Sequence, residues 1–426
     1  MKVRFHIDAL HALLAAILAV ILCGCGGKDP DVEKNGPRHV LILYSAGYNS
    51  LSSYLKEDIS DLCEGYLPRK GKKNDVVLVY SKLPVKNGNY TTPTASSLVQ
   101  IYAGKKGAVR DTVKTWPKNA IASSAATLNE VLTFVKDNFP AAGYGMIFSS
   151  HASGWLPPVY YVDPDQFEKS KSAASPSSVR EYFPPLDSDP SSPAVKSLGQ
   201  DLVGSSDNYV EMSISEFAAA IPMHLDYLLF DACLTGCVEV AWELREKVSF
   251  LGLSPTEVLA EGYDYKTVTT RLLRDEEPDP KAVCQDYFAQ YEKETGVYRS
   301  ATITFVDTKG LEALAGVCSY LNSKYCDAIT SMSASGIQGY FRYNRHFFYD
   351  LLDIYDHAGI TPEERADLVS ALDGCLPYKA ATDKFISFPI NTYSGLSMYL
   401  PSNGTSFIDN YYKKEISWND EVKLVR

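Results

Sequence analysis

The chain has 426 residues, enough for about two or three domains of ordinary size. Apolar residues make up 45% and charged residues 22%, which excludes a disordered, fibrous or collagen-like chain. Its 52 acidic residues outweigh 41 basic ones, a net charge of -11, so nucleic acid is not an expected partner.

Residues 1–25 read MKVRFHIDALHALLAAILAVILCGC, with Lys2 and Arg4 ahead of an apolar stretch from Ala9 to Leu22 that only His11 interrupts. That is the layout of a secretory signal peptide, too short and too lightly flanked for a secure membrane-spanning helix. It ends in Leu22-Cys23-Gly24-Cys25, which resembles a bacterial lipobox. Cys25 fits the acylated position because the small Gly24 precedes it, whereas bulky Leu22 precedes Cys23. Acyl chains contribute about 0.8 kcal/mol per buried methylene, so two or more anchor a protein stably. The expectation is a cell-envelope lipoprotein, held at the outer membrane by Cys25 on a polar leash (26–37) and facing the periplasm or the outside. Incorporation of a labelled fatty acid is the check; a plain signal peptide with incidental cysteines would give a secreted, unlabelled protein.

Downstream, His39 to Tyr44 read as a buried strand, Leu51 to Leu62 as a helix and Val76 to Tyr80 as a second buried strand. Thr127-x-x-Glu130 has the form of a capping box for a helix reaching about Asn138. Gly143 to Ser150 form a strand that ends at His151. Residues 156–208, rich in Pro, Ser and Asp, lack sustained periodicity and read as a long insertion or lid. Ser213-x-x-Glu216 caps a helix to about Ile221, followed by the strand Leu225 to Phe230, a helix from Val238 to Lys247 and a strand from Val248 to Leu253. Asp279-Pro280 starts a helix reaching about Lys293, and Ala301 to Val306 form a further strand. Strands alternating with helices imply a largely parallel sheet covered on both faces, with ligands bound beyond the C-terminal strand ends. This core spans 38–306. From 307 to 426 helices dominate (308–333, 346–357, 361–374), with late strands near 376–388 and 394–400, as a subdomain or a mixed elaboration.

Seven cysteines remain after the anchor: Cys63, Cys233, Cys237, Cys284, Cys318, Cys326 and Cys375. No CxxC pair and no HExxH occurs, which sets aside zinc ribbons, thioredoxin-type chemistry and a zinc hydrolase. The odd number leaves at least one thiol unpaired in an exported protein. Cys233 stands at a strand-to-helix junction, where amides at the start of the next helix favour a thiolate. His151 ends another strand and is followed by Ala152-Ser153-Gly154, a small-residue turn that lets backbone amides approach a reacting carbonyl. A nucleophile, a base and an oxyanion hole built from the amides of Ala152 and Cys233 are one reading of this pair. A buried structural thiol and a hydrogen-bonded imidazole are the other. Cys237 reads as a small buried hydrophobe, and His39, His224, His346 and His357 as surface or structural residues.

Ser149-Ser-His-Ala-Ser-Gly-Trp155, taken with Leu228-Leu-Phe-Asp-Ala-Cys-Leu-Thr-Gly-Cys-Val-Glu-Val-Ala-Trp-Glu-Leu244, resembles the clostripain family of cysteine peptidases. These belong to the caspase–gingipain–legumain clan. The resemblance extends over 38–60, 212–265 and Ser394-Gly-Leu-Ser-Met-Tyr-Leu-Pro401. It implies an α/β fold, a caspase-like three-layer α/β/α sandwich, with Cys233 as nucleophile and His151 as its proton partner in an endopeptidase that acts on peptides or proteins. Asp231 matches an acid that helps line the pocket for the residue before the scissile bond, which suits Arg or Lys. The family's second pocket segment is altered here to Ser254-Pro-Thr-Glu-Val-Leu-Ala-Glu-Gly-Tyr-Asp-Tyr265. Glu261 is its best second acid, with Glu257 and Asp264 behind it. A glycine common in the family is Ala152 here, a substitution that costs about 1 kcal/mol if the position needs a left-handed backbone. No cofactor is required; calcium has only Asn49 to recommend it in the loop 45–50. The resemblance also allows self-cleavage after Lys169, Lys171 or Arg180 in the insertion, against an ordinary solvated loop. A binding or adhesion lipoprotein on the same scaffold is the alternative function.

Overall fold

Runs such as Val40 to Tyr44 and Val76 to Tyr80, apolar on both faces, belong in the middle of a sheet that helices cover on both sides. The computed structural model describes residues 39–71, 73–86, 88–161, 167, 193–195, 201–202, 209–274, 277–342 and 346–426. The signal, Cys25, the leash and Lys169, Lys171 and Arg180 lie outside the described residues.

Nine strands form one sheet: β1 His39–Ala46, β2 Val76–Lys82, β3 Ser96–Gly104, β4 Gly107–Trp116, β5 Gly143–Ser149, β6 Leu225–Asp231, β7 Val248–Leu253, β8 Thr302–Asp307 and β9 Tyr378–Ala381. Their order is β9-β8-β7-β6-β5-β1-β2-β3-β4. The central run β7-β6-β5-β1-β2 is parallel throughout. Antiparallel neighbours close both edges, β8 and β9 on one side, β3 and β4 on the other.

The helices in chain order are α1 Ser52–Glu64, α2 Ala125–Asn138, α3 Ile214–Ala220, α4 Val238–Leu244, α5 Tyr265–Leu273, α6 Pro280–Glu292, α7 Leu311–Ser331, α8 Leu351–Ala358, α9 Pro362–Cys375, α10 Ser406–Glu415 and α11 Ser417–Val422. Helices α1, α5 and α6 pack as one layer. Helices α2, α3, α4, α11, α7 and α9 pack as the other, with α8 against α7. This is a three-layer α/β/α sandwich.

Local chemistry explains most boundaries. Ser213 and Glu216 form a reciprocal capping box at α3, and Asp279 caps α6 with Pro280 in its first turn. At α2 the cap is Ser124, one turn earlier than the sequence pattern suggests; its hydroxyl accepts from the Thr127 amide. Glu130, free of capping duty, accepts from the Trp116 indole at 3.0 Å. Sequence reading also missed the β3–β4 hairpin, because β4 is an edge strand with only Trp116 buried and carries no apolar run.

One apolar core runs from the sheet into the last third of the chain, including Leu314, Leu368, Tyr399 and Trp418. Trp155, fully buried, packs its ring against Tyr399, Tyr412 and Phe347. The stretch after His151 is thereby anchored in the C-terminal aromatic cluster.

Candidate active site

The site begins with strand register. β5 and β6 are parallel neighbours, and Ser149 pairs with Asp231 at their C-terminal ends. His151 and Cys233 each lie two residues beyond that pair, so both leave the sheet at the same level on adjacent strands. Ser50, in the loop after β1, meets His151 Nε2 at 3.3 Å. The Cys233 thiol is fully buried. The Val258 amide donates to its sulfur at 3.0 Å, and the sulfur lies 3.7 Å from the Val258 carbonyl oxygen.

Backbone bonds stitch the two turns and the segment after β7 together. Leu234 N–H donates to Thr256 O at 2.9 Å and Gly236 N–H to Ser254 O at 2.8 Å. A Cβ at Gly236 would lie 2.3 Å from the Pro255 nitrogen, so only glycine permits this approach. On the other side, Gly154 has φ 63° and a Cβ there would come within 2.6 Å of the Leu234 carbonyl oxygen. Ala152 is not in the left-handed region, so the expected cost of alanine there does not arise. The positive φ values fall at Gly154, Val159 (59°) and Leu234 (58°) instead.

The acids are less alike than the sequence suggested. Asp231 is fully buried, and one of its oxygens accepts from Ser149 Oγ at 3.0 Å and Tyr265 Oη at 2.8 Å. Burial, and after it the Asp231 charge, raises the Tyr265 phenol well above its ordinary value. Tyr263, Tyr287 and Tyr291 build a buried ring cluster beside it. Glu261 is exposed and lines a separate cavity of about 840 Å³ with Glu57, Asp58, Asp61 and Asp264. Asp231 does not line that cavity. Glu257 is no free pocket acid: Arg342 grips it through two bonds, at 2.7 and 3.0 Å, with the carboxylate fully buried. Asp264 is spent capping α5. Ser50, Tyr265 as a partner of Asp231, and Arg342 were not legible as site residues, since each comes from an element far along the chain.

Asn49 is likewise occupied internally, accepting from the Leu51 amide and donating to Ala46 O, both at 3.0 Å. Among the described residues no group of three His, Cys, Asp or Glu is placed to hold a metal ion. Among the described residues the cysteines are thiols and form no disulfide. Burial pushes the Cys237 thiol well above its ordinary value, and Cys318 and Cys375 up to about 12, as suits packing residues.

Beneath the Cys233 turn, Glu239 in α4 is buried; one of its oxygens accepts from Tyr399 N–H at 2.9 Å and Tyr412 Oη at 2.8 Å. Burial pushes its carboxyl up to about 7. A carboxyl raised in the folded state binds its proton more tightly than in the unfolded chain. Its contribution to stability is therefore lost as pH rises from about 4.5 to about 7 and stays lost above that. Glu239→Gln keeps an accepting oxygen without the charge. It is expected to shrink the fall in unfolding free energy between pH 5 and pH 8 by up to about 3 kcal/mol. Denaturant titration at the two pH values is the check, and an unchanged fall would refute the assignment.

The clostripain family model, peptidase family C11, matches residues 43–164 and 186–423. An inactive zymogen C11 protease from Parabacteroides distasonis has a similar structure, with TM-score 0.68 and 24% identity over 92% of this chain and 99% of its own. So does a secreted C11 cysteine protease from Bacteroides thetaiotaomicron in complex with an irreversible peptide inhibitor, with TM-score 0.69 and 21% identity over 91% and 99%. No curated protein matches the chain. The matched segments include both strand ends that carry His151 and Cys233, and the solved structures share the sandwich; the chain belongs to the clostripain family of C11 cysteine peptidases.

Proposed function

We propose that the protein is an endopeptidase that cleaves after Arg or Lys through Cys233 and His151. The supporting observation is the β5–β6 register, which delivers both residues to one sheet end from adjacent strands. Cys233 Sγ attacks the scissile carbonyl carbon while its proton passes to His151. The amides of Ala152 and Cys233 hold the oxyanion. Collapse expels the amine, which takes the proton from His151, and leaves a thioester that water hydrolyses with His151 as base. Asp231 supplies the counter-charge for a basic P1 side chain, while Glu261, on a separate cavity, is not part of that pocket. Tyr265 and Ser149 fix the Asp231 carboxylate in place for this task.

The burial of Cys233 fits a closed state. A substrate carbonyl reaches the sulfur only once Val258 withdraws. Part of the insertion fastens the segment that follows: Val195 bridges Leu259, and the Ala260 amide donates to Ala194 O at 2.9 Å. Cleavage within the insertion would loosen that hold. The protein would act in the cell envelope, where acylated Cys25 tethers it.

The test is hydrolysis of fluorogenic peptides with Arg, Lys, Asp or Ala at P1, before and after limited trypsin treatment of the form beginning at Lys28, with Cys233→Ala alongside. Cleavage after Arg or Lys that vanishes in the variant is the expected result. Cleavage after neutral residues alone would discard the Asp231 pocket. No turnover, with Cys233 inert to alkylation in both states, would favour the binding lipoprotein.

A further inference from the structure

Glu211 lies outside every motif above, on the far side of the insertion from His151. Both of its oxygens are engaged. Ser153 Oγ donates to Oε1 at 2.5 Å, and the Val159 amide donates to Oε2 at 2.7 Å. Ser153 is buried and belongs to the turn that opens with His151. Val159 is a β-branched residue at φ 59°, a conformation that costs about 1–3 kcal/mol and persists only where the surroundings impose it. Glu211 also shares a cavity of about 60 Å³ with His151, Ala152 and Ser153, walled by Phe148, Phe217 and Phe230. Burial there pushes its carboxyl up to about 7 against the pull of the two hydrogen bonds. A carboxylate among phenylalanines lowers stability, so a gain elsewhere has to offset it. These bonds fix Ser153, two residues after His151, and Val159, at the far end of the loop that follows. The opposite side of the His151 turn is pressed by Gly154 against the Leu234 carbonyl of the nucleophile loop.

We propose that Glu211 is a positioning residue for the peptidase reaction: its carboxylate clamps Ser153 and Val159 so that His151 and the Ala152 amide keep their places opposite Cys233. The proposal rests on the His151–Cys233 reading. Glu211 touches no substrate atom. Removing it should therefore lower kcat while leaving KM nearly unchanged.

The experiment compares wild type, Glu211→Ala, Glu211→Gln, Ser153→Ala and His151→Ala as full chains. Steady-state peptide hydrolysis and thermal unfolding are measured on each. Glu211→Ala is expected to lower kcat by about 10- to 100-fold, the scale of a misplacement of about 1 Å, with KM within about twofold. Glu211→Gln should recover part of the loss, because its amide oxygen still accepts one bond. Ser153→Ala, which removes one bond and leaves the carboxylate, should lie between wild type and Glu211→Ala; it carries the test if Glu211→Ala fails to fold. Wild-type kcat in folded Glu211→Ala, or a rise in KM at constant kcat, overturns the positioning role while an inactive His151→Ala leaves the catalytic reading standing. Wild-type turnover in His151→Ala overturns both.

Discussion

Alanine in place of either Cys233 or His151 is expected to abolish peptide hydrolysis, a loss of about 10⁴- to 10⁶-fold in kcat, and the double variant should lose little more. Groups that pass one proton between them act as a unit. Once one is gone the other has nothing to activate or to be activated by. The two residues sit at one level beyond the Ser149–Asp231 pair, so neither exchange disturbs the sheet. Near-wild-type melting temperatures should accompany the loss. Additive losses, with each single variant retaining a large share of the rate, would mean that the two side chains act in separate steps.

A second large effect is expected at the ion pair between Arg342 and Glu257. Glu257 is fully buried and Arg342 is 11% exposed, so removing one partner strands a charge away from water. Arg342→Met should lower the unfolding free energy by about 3–5 kcal/mol, and adding Glu257→Gln should recover most of that, because no charge then remains uncompensated. Denaturant titration of the single and double variants is the measurement. An equal loss in both would mean that the side chains matter for packing rather than charge. The pair also lies next to Val258, whose amide rests on the Cys233 sulfur at 3.0 Å, so its loss should alter how quickly alkylating agents reach that thiol.

The core strands were legible because burial on both faces demands unbroken apolar runs, and His151 and Cys233 were legible because each directly follows such a run. The edges were not. β3 and β4 mix polar and apolar residues, and β4 faces solvent along most of its length. Helices α5 and α10 open on Asp264 and Thr405 without the first-turn Glu or Pro that marked α3 and α6, and α11 has no side-chain cap. At the site, residue types could be read but not their partners. Asp231 reads as a pocket acid, yet nothing near it in sequence shows that Tyr265 and Ser149 hold it. Glu257 reads as a spare acid until Arg342 is seen to occupy it. Ala152 looked costly only while its backbone angle was unknown. In each case the missing information was a contact between residues far apart in the chain.

The order of strands has a consequence for the molecule as a material object. In this sheet the strands before the insertion lie on one side, β5-β1-β2-β3-β4, and those after it on the other, β9-β8-β7-β6. The strands thus fall into two groups joined edge to edge, and His151 and Cys233 follow the two strands that meet there. A break within the insertion would cut a connection between the two groups and leave all nine strands of the sheet in place. Loop-closure entropy grows by only about 0.6 kcal/mol per doubling of length, so that connection can be long, short or severed at modest cost. Neither group alone carries both His151 and Cys233; their nearness depends on the fit of one edge to the other.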